Sequence, residues 1–566
     1  MKKMNGRRIW KFVLRAGNLL VLVLLAAGAY GRFTGRLAGV WLRPVEPPAQ
    51  EQPPQETEVR ALPERTALSE ISWPSYMIYY GALDDALIEQ AKQYDVVILH
   101  PRGGDMTREQ VREIQSGGAY VLGYLSIGED LRTEGMTPEQ MLQDERFTGD
   151  KTGPRIDGRE PGSASLEGAS LLGEASPAGG GYASYYLDDN DRDGKPDFNP
   201  NFGCAYTNIG DPAWYAALEY MTLDGPDGIP GIREILTEDY GRGLGCDGLF
   251  LDTIDTCAPN MYTEDSDPSR TRFEWTAPGV LSFLKQLKAD YPDKYVLQNR
   301  GLFFFHYQLP HFDYTTGEYI DFLMYESFML DSNSTTLYYE TYFTDNKNVY
   351  GPKISAEANR PNGFRVLSLG YAEGPGEYRL KESLIGESET GLDILLEDMN
   401  QAQEEAGFTH YITDGALLLA NNFVLEHREA EDTRPPLWSS VHNNSIFEEP
   451  KPHAGIGEAE PASGGMVVRW DVAVDKSGVD YTLYYQQEPF DFEADPDLEN
   501  AQKLELTPER GDGYGYDAQD SSWPYQEEVS GLQAGEAYYF VIRAKDRSPA
   551  GNEEKNTVVA TGVPLA

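Results

Sequence analysis

Two carboxyl groups in this sequence stand where a parallel barrel would present them. Asp252 closes the apolar run Gly-Leu-Phe-Leu, and Glu326 closes Phe-Leu-Met-Tyr. A charge that ends a buried strand is costly to desolvate unless it has a partner or a task. A lone acid at a strand end is more often structural. A pair on two alternate strands of one barrel faces a shared cleft, which is the arrangement glycoside hydrolysis needs. One carboxylate attacks or stabilises the anomeric carbon while the other, kept protonated, donates to the leaving oxygen. On that scheme Asp252 is the nucleophile and Glu326 the acid/base, and a retaining reaction would set the two groups about 5–5.5 Å apart.

The elements that must carry this pair are legible as an alternation. From residue 72 onward, short apolar or β-branched runs alternate with amphipathic stretches, the pattern of a parallel sheet covered by helices. Eight runs qualify: YMIYYG (76–81), VVILHP (96–101), YVLGYLSIGE (120–129), GLFLDTID (248–255), YVLQNRG (295–301), DFLMYES (321–327), VLSLGYA (366–372) and HYITDG (410–415). Between them DDALIEQAKQ, TREQVREIQ, PGVLSFLKQLKAD and GLDILLEDMNQAQEEA repeat apolar residues at helical spacing. Eight units predict an α/β fold, a closed (β/α)8 TIM barrel over residues 71–440. An open doubly wound sheet is the alternative, but neither a GxGxxG after the first strand nor a GxxxxGK[ST] supports nucleotide binding. Strand ends bring Tyr80, Tyr124, Ser126, Glu129, Gln298, Asn299, Tyr325 and Tyr371 to the catalytic face. Each alone is more often packing; together they form a polar and aromatic rim of the kind that holds a sugar chain. The segment 131–202, rich in Gly, Ser, Pro and acids, follows the third strand on that face and predicts a substrate-shaping loop.

The chain ends bound the location. Residues 1–43 begin with the basic MKKMNGRRIWKFVLR and continue with the apolar NLLVLVLLAAGAYG, either a cleaved signal peptide or an uncleaved membrane anchor. Both readings place the remainder outside the cytoplasmic membrane, at the cell surface or beyond it. Residues 44–70 are Pro- and Glu-rich, an extended solvated spacer. From residue 450 to 566, runs such as MVVRWDV, YTLYYQQ and YYFVIRAKD alternate polar and apolar residues between turns, an all-β module. Trp470, the Leu532-x-x-Gly535-x-x-Tyr538 order and the final RAKDRSPAGNEE make this tail resemble a fibronectin type III domain. The resemblance implies an immunoglobulin-like sandwich and is silent on its ligand; contact with a cell surface or a glycan is the expectation for an exported module.

With 566 residues the chain exceeds one core and calls for roughly two to four folded units. A formal charge of −45 excludes nucleic acid as a partner, since phosphate binding needs a basic stripe. The acidity either draws a cationic polymer or keeps an exported protein soluble. Cys204, Cys246 and Cys257, with no CxxC and no Cys/His spacing, build neither a disulfide framework nor a zinc site. Cys246 and Cys257, flanking the Asp252 strand, are expected as free core thiols. Asp189, Asp191, Asp193 and Asp197 alternate around the turn glycine Gly194, as calcium ligands do, but Pro200 stands where an EF-hand has its bidentate Glu. The run is either a structural calcium site or a solvated acidic turn, and catalysis by two carboxyls requires no cofactor.

The wording YLSIGE, GLFLDTID and MYES resembles glycoside hydrolase family 114, the endo-α-1,4-polygalactosaminidases, over roughly residues 73 to 430. The family's catalytic aspartate ends a G-[VLF]-F-L-D strand, here Asp252, and its glutamate lies two strands later, here Glu326. The resemblance implies endo-hydrolysis of a galactosaminogalactan-type polymer with retention. The first strand lacks the family's W-Q-[IL]-Q wording, and 131–202 is an insertion, which leaves the sugar open. The same pair would serve a barrel glycosidase of another specificity. A non-catalytic surface adhesin that only binds glycan is the reading outside enzymes. Tyr124-Leu125-Ser126-Ile127-Gly128 only nearly matches the G-x-S-x-G of serine hydrolases.

Overall fold

A computed structural model describes residues 62–149, 176–177, 181–188, 193–259, 272–305, 312, 314–330, 346–371, 389–428, 431–439, 455–511 and 523–566. The N-terminal segment 1–61 lies outside the described residues, as do Asp189 and Asp191.

Eight strands make one parallel sheet in sequential order: β1 (Tyr76–Tyr79), β2 (Val96–Leu99), β3 (Tyr120–Ser126), β4 (Gly248–Asp252), β5 (Tyr295–Asn299), β6 (Phe322–Glu326), β7 (Arg365–Tyr371) and β8 (Thr409–Thr413). The sheet comes round on itself. Just beyond β1, the Tyr80 amide donates to the Leu417 carbonyl beyond β8 at 2.8 Å. The rings of Tyr76 and Tyr411, on the first and last strands, stand 5.6 Å apart. The result is the (β/α)8 barrel that the eight units predict. Strands buried on both faces read as continuous apolar runs, and β2 and β3 are buried throughout.

The covering helices start where the sequence supplies caps. Asp84 accepts from Leu87 N to open α1 (Asp85–Ala91), and Thr107 with Gln110 forms a capping box for α2 (Arg108–Gln115). One close approach demands glycine: a Cβ on Gly123 of β3 would sit 2.4 Å from Ile235 Cγ2. The three cysteines are free and buried. The described parts of the insertion pack on the barrel mouth. Glu129–Asp130 pairs antiparallel with Ala205–Tyr206, and the fully buried Asp130 holds Arg132 at 2.8 Å and the Tyr186 hydroxyl at 2.7 Å.

The C-terminal part builds two four-stranded antiparallel sheets. After the short β9 (Leu437–Trp438), the first joins β10 (Ile456–Ala462), β11 (Gly465–Trp470), β16 (Tyr525–Ser530) and β15 (Glu509–Arg510). The second joins β14 (Gln502–Leu506), β13 (Val479–Gln486), β17 (Tyr538–Asp546) and β18 (Ala560–Gly562), while β12 (Ala473–Val474) pairs with β9. Their common core centres on Trp470, Tyr481 and Tyr525, whose ring centroids lie 5.5–5.8 Å apart. The Tyr538 hydroxyl accepts from Gln533 N at 3.1 Å.

This β-unit is fastened to the barrel by Tyr525 Oη donating to the Ala356 carbonyl at 2.9 Å and by Asn552 Nδ2 donating to that of Asp432 at 3.0 Å. Residues 62–73 strap the barrel's underside. Arg65 grips Asp247 with two nitrogens at 2.6 and 3.0 Å, and its guanidinium lies 4.0 Å above the Tyr120 ring. Among the described residues no helix is long and apolar enough to cross a membrane.

Candidate active site

Asp252, Asn299 and Glu326 are the last residues of three successive strands, β4, β5 and β6. The single amide nitrogen of Asn299 donates to Asp252 Oδ1 at 2.8 Å and to Glu326 Oε2 at 3.0 Å. From β3, the Tyr124 hydroxyl donates to Asp252 Oδ2 at 2.9 Å; from the end of β7, the Tyr371 hydroxyl donates to Glu326 Oε1 at 2.6 Å. Each of the four carboxylate oxygens thus receives one donor, and five adjacent strands converge on one pair. Asn299 is buried beneath them while both carboxyls are partly open to solvent.

Backbone conformation at the strand ends explains the convergence. The residue directly after each of the three is left-handed: Thr253 at φ 66°, Arg300 at φ 54° and Ser327 at φ 55°. A non-glycine residue there costs of order 1–2 kcal/mol and persists only when its surroundings impose it. At Thr253 the imposing bonds come from its own Oγ1, which accepts from Gly128 N at 2.7 Å and lies 3.0 Å from Ser126 Oγ. At Arg300 they come from Asp255, which accepts from Gly301 N at 3.0 Å and pairs with Arg300 Nε at 2.9 Å. After Ser327, the Phe328 amide donates to Leu369 O on β7 at 3.1 Å.

Burial raises the Asp252 carboxyl above its ordinary value, the charge of Glu326 raises it further, and Asn299, the Thr253 amide and Tyr124 work against both. The phenols of Tyr80, Tyr124 and Tyr371 are held well above their usual value by burial and then by the carboxylates, so they act as donors. Glu129 is a third acid beside the pair. Burial first, and the Asp252 charge after it, push Glu129 up to about 7 against the hydrogen bond from Asn199 Nδ2 at 2.7 Å.

The sequence-predicted residues divide by strand face. Tyr124, Asn299 and Tyr371 touch the carboxylates, and the Tyr80 ring stands edge-on to Tyr124 at 5.4 Å. Ser126 instead donates to the Glu129 carbonyl at 2.9 Å. Gln298 turns to the opposite face and donates to the Arg300 carbonyl at 2.9 Å, supporting that reversal. Tyr325 also turns away: it is buried, donates to Asn346 Oδ1 at 2.6 Å and packs on Phe328 and Phe408. A neighbour of Glu326 in a two-residue period cannot share its cleft. In the described part of the acidic run, Asp193 accepts from Lys195 N at 2.9 Å and Gly194 N donates to Asp188, which precedes the run, at 2.7 Å.

Sequence reasoning passed over His100, which stacks on Tyr124 with ring centroids 4.4 Å apart. Its Nδ1 accepts from Gly103 N at 3.0 Å, and burial, seconded by Arg102, lowers it to about 4, leaving a neutral ring as the backing of Tyr124. The signal was there: His100 ends the apolar run Val-Val-Ile-Leu just as Asp252 ends its own. Asn199 and Asp255 carried no such signal.

No protein-family model matches the chain, and no curated protein matches it. Among solved structures, the glycoside hydrolase domain of PelA from Pseudomonas aeruginosa aligns at 18% identity over 61% of this chain and 97% of its own, with a TM-score of 0.34. A noncanonic maltogenic α-amylase, AmyB of Thermotoga neapolitana, aligns at 9% identity over 84% of this chain and 99% of its own, with a TM-score of 0.30. The trehalose-6-phosphate hydrolase of Bacillus licheniformis aligns at 12% identity over 56% and 61%, with a TM-score of 0.28. At such scores the functional reading rests on this chain's own residues.

Proposed function

We infer that this chain is a retaining glycoside hydrolase acting on an extracellular polysaccharide, an α-1,4-linked galactosamine/N-acetylgalactosamine polymer. The observation that carries the reading is the Asn299 nitrogen shared by two carboxylates on alternate strands. Oxygens 2.8 and 3.0 Å from one nitrogen lie closer together than the roughly 6.5 Å at which inverting pairs begin, which favours retention over inversion.

Asp252, with donors from Asn299 and Tyr124, is the nucleophile: its oxygen bonds to the anomeric carbon as the glycosidic bond breaks. Glu326 gives its proton to the departing oxygen, then takes one from the water that hydrolyses the glycosyl ester. Tyr371 holds Glu326 in line throughout, and the acidic surroundings suit a cationic sugar. The basic and apolar N-terminus supports export, by signal peptide or anchor. The strand order of the β-unit and the Tyr538 to Gln533 bond support the fibronectin type III reading. A calcium ion on residues 189–197 would act as a stabiliser only; an unchanged melting temperature on chelation removes it.

The test is release of reducing ends from partly deacetylated α-1,4-galactosaminogalactan by the chain, Asp252→Asn and Glu326→Gln. Cutting by the wild type, lost in both variants, supports the reading. Binding without cutting transfers support to an adhesin, and neither result points to another glycan.

A further inference from the structure

At the opposite ends of the barrel strands from the carboxylates, a cavity of about 430 Å³ opens between the barrel and the β-unit. Ligand pockets span roughly 300–1,000 Å³, so it has the size of a small organic ligand. In a chain of net charge −45 its lining is anomalous: Arg360, Arg365, Lys476 and Arg547 face it against two carboxylates, Asp321 and Asp475.

Both acids are engaged elsewhere. Asp321 accepts from Lys288 Nζ at 2.6 Å and Val296 N at 2.7 Å. Asp475 accepts from Ser477 N and Oγ at 2.8 and 2.6 Å.

The arginines are less well served. Arg547 pairs at 2.8 Å with the exposed Asp480. Arg360 Nη2 forms an ion pair with the buried Glu357 at 3.3 Å without hydrogen-bond geometry, and its buried Nε has no hydrogen-bond partner. Arg365 donates to the carbonyls of Ser72 and Ser69 at 2.5 and 3.3 Å and has no carboxylate partner among the described residues. Burial, and after it the neighbouring Arg547, lower its proton affinity. The Arg547 side chain packs against Gly478, at φ 87°, where a Cβ would stand 3.1 Å from its Nη1. A part-buried guanidinium beside a second one, with no counter-charge, lacks an anion, and the planar guanidinium fork matches phosphate oxygens two at a time.

We propose that this cavity is a phosphate-binding site, taking free phosphate or a phosphate ester on a small polyol, and that Arg360 and Arg365 are its principal donors. The site is independent of the carboxylates and of the glycosidase reading. Because its walls come from barrel and β-unit together, occupancy ties the two to each other.

The test is binding of inorganic phosphate and of glycerol 3-phosphate to the full chain at fixed ionic strength, followed by dialysis and by melting temperature. Sodium chloride and glycerol serve as controls. A saturable rise in melting temperature is expected with the phosphates alone. Arg360→Met and Arg365→Met should each weaken binding about tenfold, as loss of a charge-assisted bond does, and Asp252→Asn should bind as the wild type. Tighter binding of glycerol 3-phosphate assigns an ester; equal binding assigns the free ion. Arg365 also secures the strap, so Arg360→Met, which does not, decides the matter if Arg365→Met fails to fold. No saturable effect beyond that of chloride, or unchanged affinity in Arg360→Met, overturns the proposal.

Discussion

Replacing Asn299 with alanine would remove one nitrogen and with it a hydrogen bond to each carboxylate. A hydrogen bond to a charged group contributes about 1.5–3 kcal/mol. On Asp252 that bond favours the ionised form, against burial and the charge of Glu326. Its loss raises the Asp252 pKa further, and at 1.36 kcal/mol per unit the shift is about 1–2 pH units upward. On the proposed mechanism Asp252 must be ionised to attack, so the acid limb of kcat/KM against pH moves up by that amount. At the optimum, where the carboxyls also lose their common support, a fall of about 100-fold is expected, comparable to removal of one preorganised donor. The assay is reducing-end release across the acid range at substrate levels below KM, with circular dichroism to show that the variant folds. An Asn299→Ala variant with an unmoved acid limb and near wild-type kcat/KM refutes the argument that this residue governs the pair.

Asp252→Asn should melt higher than the wild type at pH 7, because an acid whose folded pKa is raised costs stability once ionised; the gain should vanish below about pH 4, where both states are protonated. Glu129, pushed up to about 7, weakens the fold as pH climbs from its unfolded value near 4.3 through 7. Glu129→Gln should therefore be more stable by at most about 4 kcal/mol in denaturant titrations at pH 8 and much less so at pH 5; equal gains at both would disprove the assignment. Ser327→Gly, relieving a left-handed serine at φ 55°, should stabilise by roughly 0.5–1 kcal/mol with activity retained, read as a shifted urea midpoint.

The barrel was legible because its strands are buried on both faces, which writes them as unbroken apolar runs whose final polar residue marks the C-terminal end where the carboxylates gather. Asp252, Glu326, Asn299, Tyr124 and Tyr371 followed from that rule. The rule fails one residue earlier: Gln298 and Tyr325 sit at the same ends but on the other face, and a strand-end rim counts both faces alike. The left-handed residues were not legible either, since Thr253, Arg300 and Ser327 carry no glycine or asparagine signal and their conformation is imposed by groups distant in sequence. Glu129 was found, but its hold by Asn199 depends on an insertion returning 70 residues later, a pairing that local spacing cannot disclose.

The three left-handed reversals have an engineering consequence. The carboxylate pair is fixed by strand termini, by the residue after each and by Asp255 two residues beyond Thr253, and among the described residues the loops farther out give the pair no hydrogen bond. On the proposed function, grafting foreign βα loops beyond Asp255, Gly301 and Phe328 should exchange the sugar recognised while leaving bond cleavage intact, making this barrel a chassis for retargeted glycan cutters.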